Sequence, residues 1–229
     1  MAKASRFLRE VFFHEKFFLF TKNIIMDTIY IIMIGLELRK KYKSGSAAEI
    51  IRDAILFGEI TGEIGQNEFA DSLGISRMPV REALITLEYH GLIEKLPNQH
   101  VKIADINDRA VKDSFSDMSL LELEVIKNLP AEKLKSLSTL SQIEFHRALY
   151  KNTASPLRRT FLRIITETYL MFAVEHSDGR KLDAVFGNLR LSLEDQSMLK
   201  AGYAVYSEAL AAEMIRIRKD KRRIKHAEP

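Results

Sequence analysis

Ala70-Asp71-Ser72-Leu73-Gly74-Ile75-Ser76-Arg77-Met78-Pro79-Val80-Arg81-Glu82-Ala83-Leu84 is the stretch on which the fold turns. Phe69, Ala70 and Leu73 repeat at helical spacing, with Asn67 as the N-cap candidate, and Gly74 ends the run where the backbone needs a tight turn. Ser76 can cap the next helix, and Pro79 falls in its first turn, where a missing N–H costs nothing. Val80, Ala83, Leu84 and Leu87 form its buried stripe up to Gly91. Two short helices joined by a tight turn, each with an apolar face toward the other, make a helix-turn-helix unit.

Working outward, Ile50, Ile51, Ala54 and Ile55 mark an earlier helix that stops at Gly58. On the other side, Leu92–Leu96 and Val101–Ile103 read as two strands joined by the turn Pro97-Asn98-Gln99-His100. In such a unit the second helix can lie in the major groove of a duplex while the first braces it on the backbone. Arg77 and Arg81 are four residues apart, about 40° around a helix, so both project from one face near its N-terminus. A guanidinium fork bonds guanine O6 and N7 together, or grips a phosphate, and the free N–H groups of the helix start favour an anion. The hairpin tip at Asn98, Gln99 and His100, flanked by Lys95 and Lys102, can reach the adjacent minor groove.

The same residues resemble the winged helix-turn-helix of the GntR family of bacterial transcription regulators, with a match spanning about Ala47 to Ile103 that continues through Leu87-Glu88 to Gly91-Leu92-Ile93. The resemblance implies DNA contacts from Ser76, Arg77, Met78, Pro79 and Arg81, and from a wing carrying Lys95, Gln99, His100 and Lys102. Two positions depart from the family pattern: Met78 stands where Thr is usual, and Gln99-His100 where Arg-Gly is common. Between Ala47 and Ile103 five cations (Arg52, Arg77, Arg81, Lys95 and Lys102) face nine carboxylates, a net charge of −4. Four of the five fall on the proposed recognition helix and wing, so what is basic is a face and not the domain. Modest affinity from one module implies dimerisation, with help from the cationic segments Arg39–Lys43 and Arg216–Lys225.

From Asp105 onward the pattern is helical throughout. Val111, Phe115, Met118, Leu121 and Val125 mark one helix ending near Leu129; Pro130 opens another carrying Leu134, Leu137, Leu140, Phe145 and Leu149. Ser155-Pro156 reads as the cap and first residue of a helix to about Glu175, Gly179 and Gly187 punctuate the next stretch, and a last long helix runs from roughly Ser192 to Arg218. Phe115–Glu122, Phe145-His146-Arg147-Ala148-Leu149, Asn152 and Ser155-Pro156 are similar to the helical ligand-binding domain of the FadR-type, or FCD, branch. That branch implies a sensor of small organic acids, often through a metal held by one Asp and three His. His146 matches the first histidine, but Gln142 stands in the place of the Asp, Gln196 falls near the second histidine, and no His lies near the third, around Arg218. His146, Gln142, Gln196 and Arg163 are the effector-site candidates, with Arg158 and Arg159 beside Arg163 as a cationic clamp for a carboxylate. One imidazole with neutral amides makes a poor divalent site, so no cofactor is assigned and a metal is disfavoured. His176, closing a helix, is expected to be exposed.

The whole chain has 229 residues, 46% apolar and 29% charged, enough for two domains and a core. Without cysteine it has no disulfide, thiolate metal site or cysteine nucleophile, and an intracellular setting is the default. No phosphate-cradling glycine loop, zinc-protease motif or nucleophile elbow is present, which argues against an enzyme. Phe17–Leu36 is apolar but interrupted by Lys22, Asn23 and Asp27; each buried charge costs about 2.5–3.5 kcal/mol near a bilayer centre, so a membrane span is disfavoured.

The expected fold is mainly α: an N-terminal winged helix-turn-helix of three helices plus a β-hairpin, then an all-helical C-terminal bundle. The expected divisions are an N-terminal extension over 1–43, the DNA-binding domain over 44–104, a helical effector-binding and dimerisation domain over 105–218, and a basic tail over 219–229. The expected function is a cytoplasmic, homodimeric transcription regulator, a repressor, that binds an operator in double-stranded DNA and responds to a small organic acid. The alternatives are a winged-helix assembly protein that has lost DNA readout and a membrane-tethered regulator using Phe17–Leu36.

Overall fold

The computed structural model describes residues 46–193 and 195–227. The N-terminal extension, with Phe17–Leu36 and the cations Arg39–Lys43, lies outside the described residues, as do Glu194, Glu228 and Pro229. Helix α1, Ala47–Phe57, starts on a capping box in which the Glu49 N–H donates to Ser46 Oγ and the Ser46 N–H to Glu49 Oε2, at 3.3 and 2.7 Å. Gly58 ends it in the left-handed region, φ 75°.

A short strand comes next that the sequence pattern does not predict: β1, Glu63–Gly65. Helix α2, Gln66–Leu73, then begins earlier than Asn67 suggests, because Gly65 is the N-cap and Glu68 Oε2 accepts its N–H at 2.9 Å. Helix α3, Arg77–Tyr89, comes after the turn at Gly74. Strands β2, Ile93–Lys95, and β3, His100–Ile103, form the hairpin, and β1 adds to it antiparallel, giving the order β1-β3-β2. Three residues of β1 leave no period to detect, which is why the strand escapes a pattern search. Ile64, opposite Val101, drops into the core with Ile51, Phe69, Leu84 and Leu92.

The second half is a helical bundle: α4 (Asp108–Lys127), α5 (Ala131–Leu137), α6 (Gln142–Asn152), α7 (Pro156–Ile165), α8 (Met171–Glu175), α9 (Arg180–Ser192) and α10 (Gln196–Ala227). Helix α4 packs along α10, and Phe115, Met118, Phe145, Phe172, Tyr203 and Tyr206 fill the centre. Three expectations are corrected. The single helix from Pro130 through Leu149 is two, because Ser136, Ser138 and Thr139 turn their hydroxyls onto nearby carbonyls and Ser141 restarts the chain through a box with Glu144. Gly187 does not interrupt anything: it sits inside α9, where an added Cβ would meet nothing within 4 Å. The last helix starts at Gln196 and runs to Ala227, so Lys219–Ala227 continue it. Between α7 and α8 the rod passes through a π-helical turn, Thr166–Leu170. Among the described residues no helix is long and apolar enough to cross a membrane.

The two halves touch through buried polar groups. Arg52 of α1 donates to Asp53 Oδ1 at 2.8 Å and to the Glu167 carbonyl at 3.2 Å, and Asp53 Oδ2 lies 3.1 Å from His176 Nε2. His176 is therefore not an exposed helix end as expected: it packs against the rings of Phe57 and Phe172, each 4.8 Å away and themselves in contact. His90, just past α3, meets Thr168 of the π turn at 3.1 Å.

Candidate functional site

The start of α3 is built by two backbone conformations: Gly74 in the left-handed region at φ 61°, then Ser76 extended at φ −69°, ψ 160°. Together they bring α2 to an end and open α3 at Arg77. Ser76 holds the N-cap position expected of it, but its side chain makes no capping bond, so the first N–H groups of α3 have no side-chain acceptor from it. Val80, Ala83, Leu84 and Leu87 are buried, which turns the opposite face outward. Arg77, Met78, Pro79 and Arg81 are all exposed, Met78 by 63%. Among the described residues neither arginine side chain has an ion pair or hydrogen bond, so both forks are open to a ligand.

The wing differs. The Lys95 ammonium is paired with Glu88 of α3, and His100 Nδ1 lies 2.9 Å from Glu63 Oε1 of β1. Lys102 faces Glu63 on one neighbouring strand and Glu94 on the other. Strand β1, which has no signature in the sequence, is what supplies Glu63. Gln99 is exposed at the tip with Asn98, both at φ 61°. The expected wing residues are thus at the surface, but Lys95 and His100 already have carboxylate partners in the same domain.

In the bundle, His146 is fully buried and bonded at both nitrogens: Nδ1 to Glu122 Oε1 at 2.7 Å, Nε2 to the Tyr206 hydroxyl at 2.9 Å. Gln142 Nε2 donates to the same hydroxyl at 2.7 Å. The Tyr206 ring stacks on the imidazole, 5.5 Å between centroids and 8° from parallel. Burial pushes the Tyr206 and Tyr203 hydroxyls well above the ordinary phenol value, so both keep their protons. One hydroxyl, that of Tyr206, thus ties the Gln142 amide to the His146 imidazole, whose other nitrogen meets Glu122.

Of the effector candidates, the structure joins His146 and Gln142 and leaves Arg163 apart. Arg163 is exposed, and its charge acts on His90 and Tyr150. The three arginines do not converge as a clamp: Arg159 donates to the Thr153 carbonyl at 2.9 Å, and Arg158 borders a groove beside α4. Gln196 opens α10, and its side chain lies outside the described ones. The donor set does not suit a divalent ion, since the imidazole nitrogen that would face it is taken by a protonated phenol and the Asp position offers an amide. Among the described residues no group of three or more His, Cys, Asp or Glu is placed to hold a metal.

Glu122 and Tyr206 are the residues that sequence reasoning does not assign. Glu122 has a signal: a carboxylate lying between Met118 and Val125 on an otherwise apolar helix stripe. Tyr206 has none, because Tyr203, Tyr206 and Leu210 read as ordinary core spacing.

Near this site runs a chain of contacts to the other domain. Arg147, next to His146, donates through Nε to Glu167 Oε1 at 2.7 Å, and Tyr150 donates to the same oxygen at 3.0 Å. The Arg147 bond holds the Glu167 carboxyl below its ordinary value. Glu167 and Thr168 belong to the π turn that meets Arg52 and His90.

A family model described as bacterial regulatory proteins, gntR family, matches residues 43–103. A protein of Streptomyces ambofaciens, described as an uncharacterized HTH-type transcriptional regulator in an unstable DNA locus, is 36% identical over 69 residues, which are 30% of this chain and 29% of that one. The match thus spans under a third of the relative's length. Among solved structures, Lar, which controls expression of the Listeria monocytogenes agr system, superposes with a TM-score of 0.52 at 15% identity, covering 74% of this chain and 95% of that one. E. coli McbR/YncC aligns over 84% of this chain and 98% of that one at 17% identity, with a TM-score of 0.40. The first structural likeness supports the fold; the second is too low to support anything further. The family matched is one of regulatory proteins, not of enzymes.

Proposed function

We propose, from the match of residues 43–103 to the gntR family of bacterial regulatory proteins, that this region binds DNA and that the chain is a sequence-specific transcription regulator, a repressor, acting in the cytoplasm as a homodimer on a two-fold operator. The observation that carries this reading is the pair Arg77 and Arg81, side by side on the exposed start of α3 with no partner among the described residues of their own chain. Met78 and Pro79 shape the same surface, and the Ser76 end of the helix offers N–H groups to a phosphate. Lys95, Gln99, His100 and Lys102 take the weaker contacts, because the carboxylates beside the cationic wing residues must be displaced or tolerated.

Control by an organic acid in the helical domain would reach α3 through Arg147, whose partner Glu167 belongs to the π turn that meets His90 just past that helix. Such a ligand regulates only if it prefers one placement of the two domains over the other. The reading invokes no metal, since His146 has a neutral hydroxyl and an amide beside it instead of further imidazoles or carboxylates on that side. Fluorescence anisotropy with the upstream region of the chain's own gene tests the proposal: the wild-type chain binds that duplex more tightly than a scrambled one, and Arg77→Ala abolishes the preference. Equal binding to both duplexes by the wild-type chain overturns it.

The paired wing favours a second reading, a winged helix kept for assembly after DNA readout was lost. Salt separates the two. Phosphate contacts make log K fall linearly with log salt, whereas an assembly module shows no duplex binding to weaken.

A further inference from the structure

Arg77 and Arg81 supply the charge at the start of α3, but the side chain next to them, Met78, is apolar and 63% exposed. Single exposed apolar side chains are ordinary, so exposure alone decides nothing. Position does. At roughly 100° per residue, Met78 lies about 180° around the helix from Leu87 and about 160° from Val80, two residues of the buried stripe. It therefore stands on the line of α3 that points away from the core, the line that goes deepest when a helix enters a groove. Arg77 and Arg81 lie about 100° and 60° to one side of it, and Glu82, one turn on, about 40° to the other.

What a duplex can offer a thioether on that line follows by elimination. Phosphate oxygens and the donors and acceptors of base edges lose water against an apolar group and gain no bond in return. The exposed carboxylate of Glu82, next to Met78 on the same face, repels phosphate as well. Of the groups on the floor of the major groove one is apolar, the C5-methyl of thymine. A methionine side chain suits it, being long, unbranched, flexible and polarisable at sulfur. We propose that Met78 is a specificity-determining residue that buries its thioether against a thymine methyl, so that the preferred half-site carries a thymine beside the groups held by Arg77 and Arg81. That role rests on the DNA-binding reading and adds to it the chemical group recognised at one base pair. A hydroxyl side chain at this position would bond a polar group instead; the thioether replaces that bond with discrimination for a methyl.

Selection of the full chain's preferred sequence from random duplexes, then fluorescence anisotropy on the enriched duplex with single thymines replaced by deoxyuridine, tests it. Uracil keeps the pairing with adenine and removes only the methyl. With the wild-type chain one such replacement should weaken binding about fourfold, the worth of one buried methyl group. Met78→Leu, which keeps an apolar side chain, retains that loss, and Met78→Ser, which does not, binds the thymine and uracil duplexes alike. Both variants leave the melting temperature unchanged, because Met78 faces water. An enriched duplex without thymine, uracil tolerated at every position by the wild-type chain, or a Met78→Ser variant that still loses about fourfold overturns the role of Met78. In each of those cases an Arg77→Ala variant that no longer prefers the enriched duplex leaves the DNA-binding reading standing. Failure of the wild-type chain to enrich any sequence overturns both.

Discussion

Two sets of polar side chains in this molecule are arranged in opposite ways. Arg77 and Arg81 stand at the surface with no bond to the described residues of their own chain, while His146, inside the bundle, has both nitrogens bonded and no exposure at all. A group meant to bond something else must be left unbonded in the free protein, because a partner already in place must first be displaced. A group bonded on every side within a core serves the fold. The wing lies between these extremes, exposed like the arginines but paired like the histidine.

The largest expected effect is on the open pair. Arg77→Ala with Arg81→Ala should lower operator affinity by about 2–6 kcal/mol, at roughly 1–3 per side chain, and leave thermal stability unchanged. A fall in melting temperature with no loss of binding would erase the contrast between open and closed groups. The converse substitution is Tyr206→Phe. It strands His146 Nε2 and the Gln142 amide in the core and should cost about 1–3 kcal/mol in urea unfolding while operator affinity in the folded protein stays put.

A smaller, pH-dependent effect belongs to the junction between the two regions. Burial, with the charges of Arg163 and Arg52, holds His90 below its ordinary 6.5, so the unfolded chain takes up that proton first and stability falls as pH drops through 6.5. Burial raises Asp53, but the His176 hydrogen bond and the neighbouring Arg52 outweigh it, and its carboxyl lies below the ordinary 3.8. The stability it contributes is present above 3.8 and is lost as pH falls through the lower folded value. Melting temperature against pH should therefore decline in two steps, and His90→Gln should remove the first. A single step below pH 4 in the wild-type chain would contradict the role given to His90.

The smallest effect sits in the wing. Glu88→Gln releases Lys95 and should tighten duplex binding by about 0.2–1 kcal/mol, the worth of an exposed ion pair, and Glu63→Gln, which removes a negative charge from beside the wing, should tighten it by no more. Lys95→Ala should weaken it by no more. A loss as large as that of Arg77→Ala would place the wing with the recognition helix instead of apart from it.

Much of the molecule is legible from its residues alone, and the reason differs by residue. Gly74, Ser76, Pro79 and the Val80–Leu87 stripe mark α3 because their effects are local, each fixing a dihedral, a cap position or a face within a few residues. Break points set by hydroxyls competing with the helix backbone, as at Ser136–Ser141, are weaker signals than glycine or proline, so the apolar spacing suggests one helix where there are two. The sheet's third strand is invisible because three residues carry no periodicity, and with it goes Glu63, which ties up the wing. His146 and Gln142 stand out as neighbours one turn apart, but nothing in their spacing tells of Tyr206, 60 residues on in the chain from His146.

By itself the sequence determined the mainly helical class, the winged helix-turn-helix and the two arginines on the exposed face of α3, since all of these depend on spacings shorter than a helix. Only the tertiary structure decided which polar groups remain open: that Lys95 and His100 are paired, that Arg163 stands apart from His146, and that Tyr206 closes on the imidazole. Availability is a property of what lies within hydrogen-bond reach in space, and residues dozens of positions apart reach that distance only when the chain has packed.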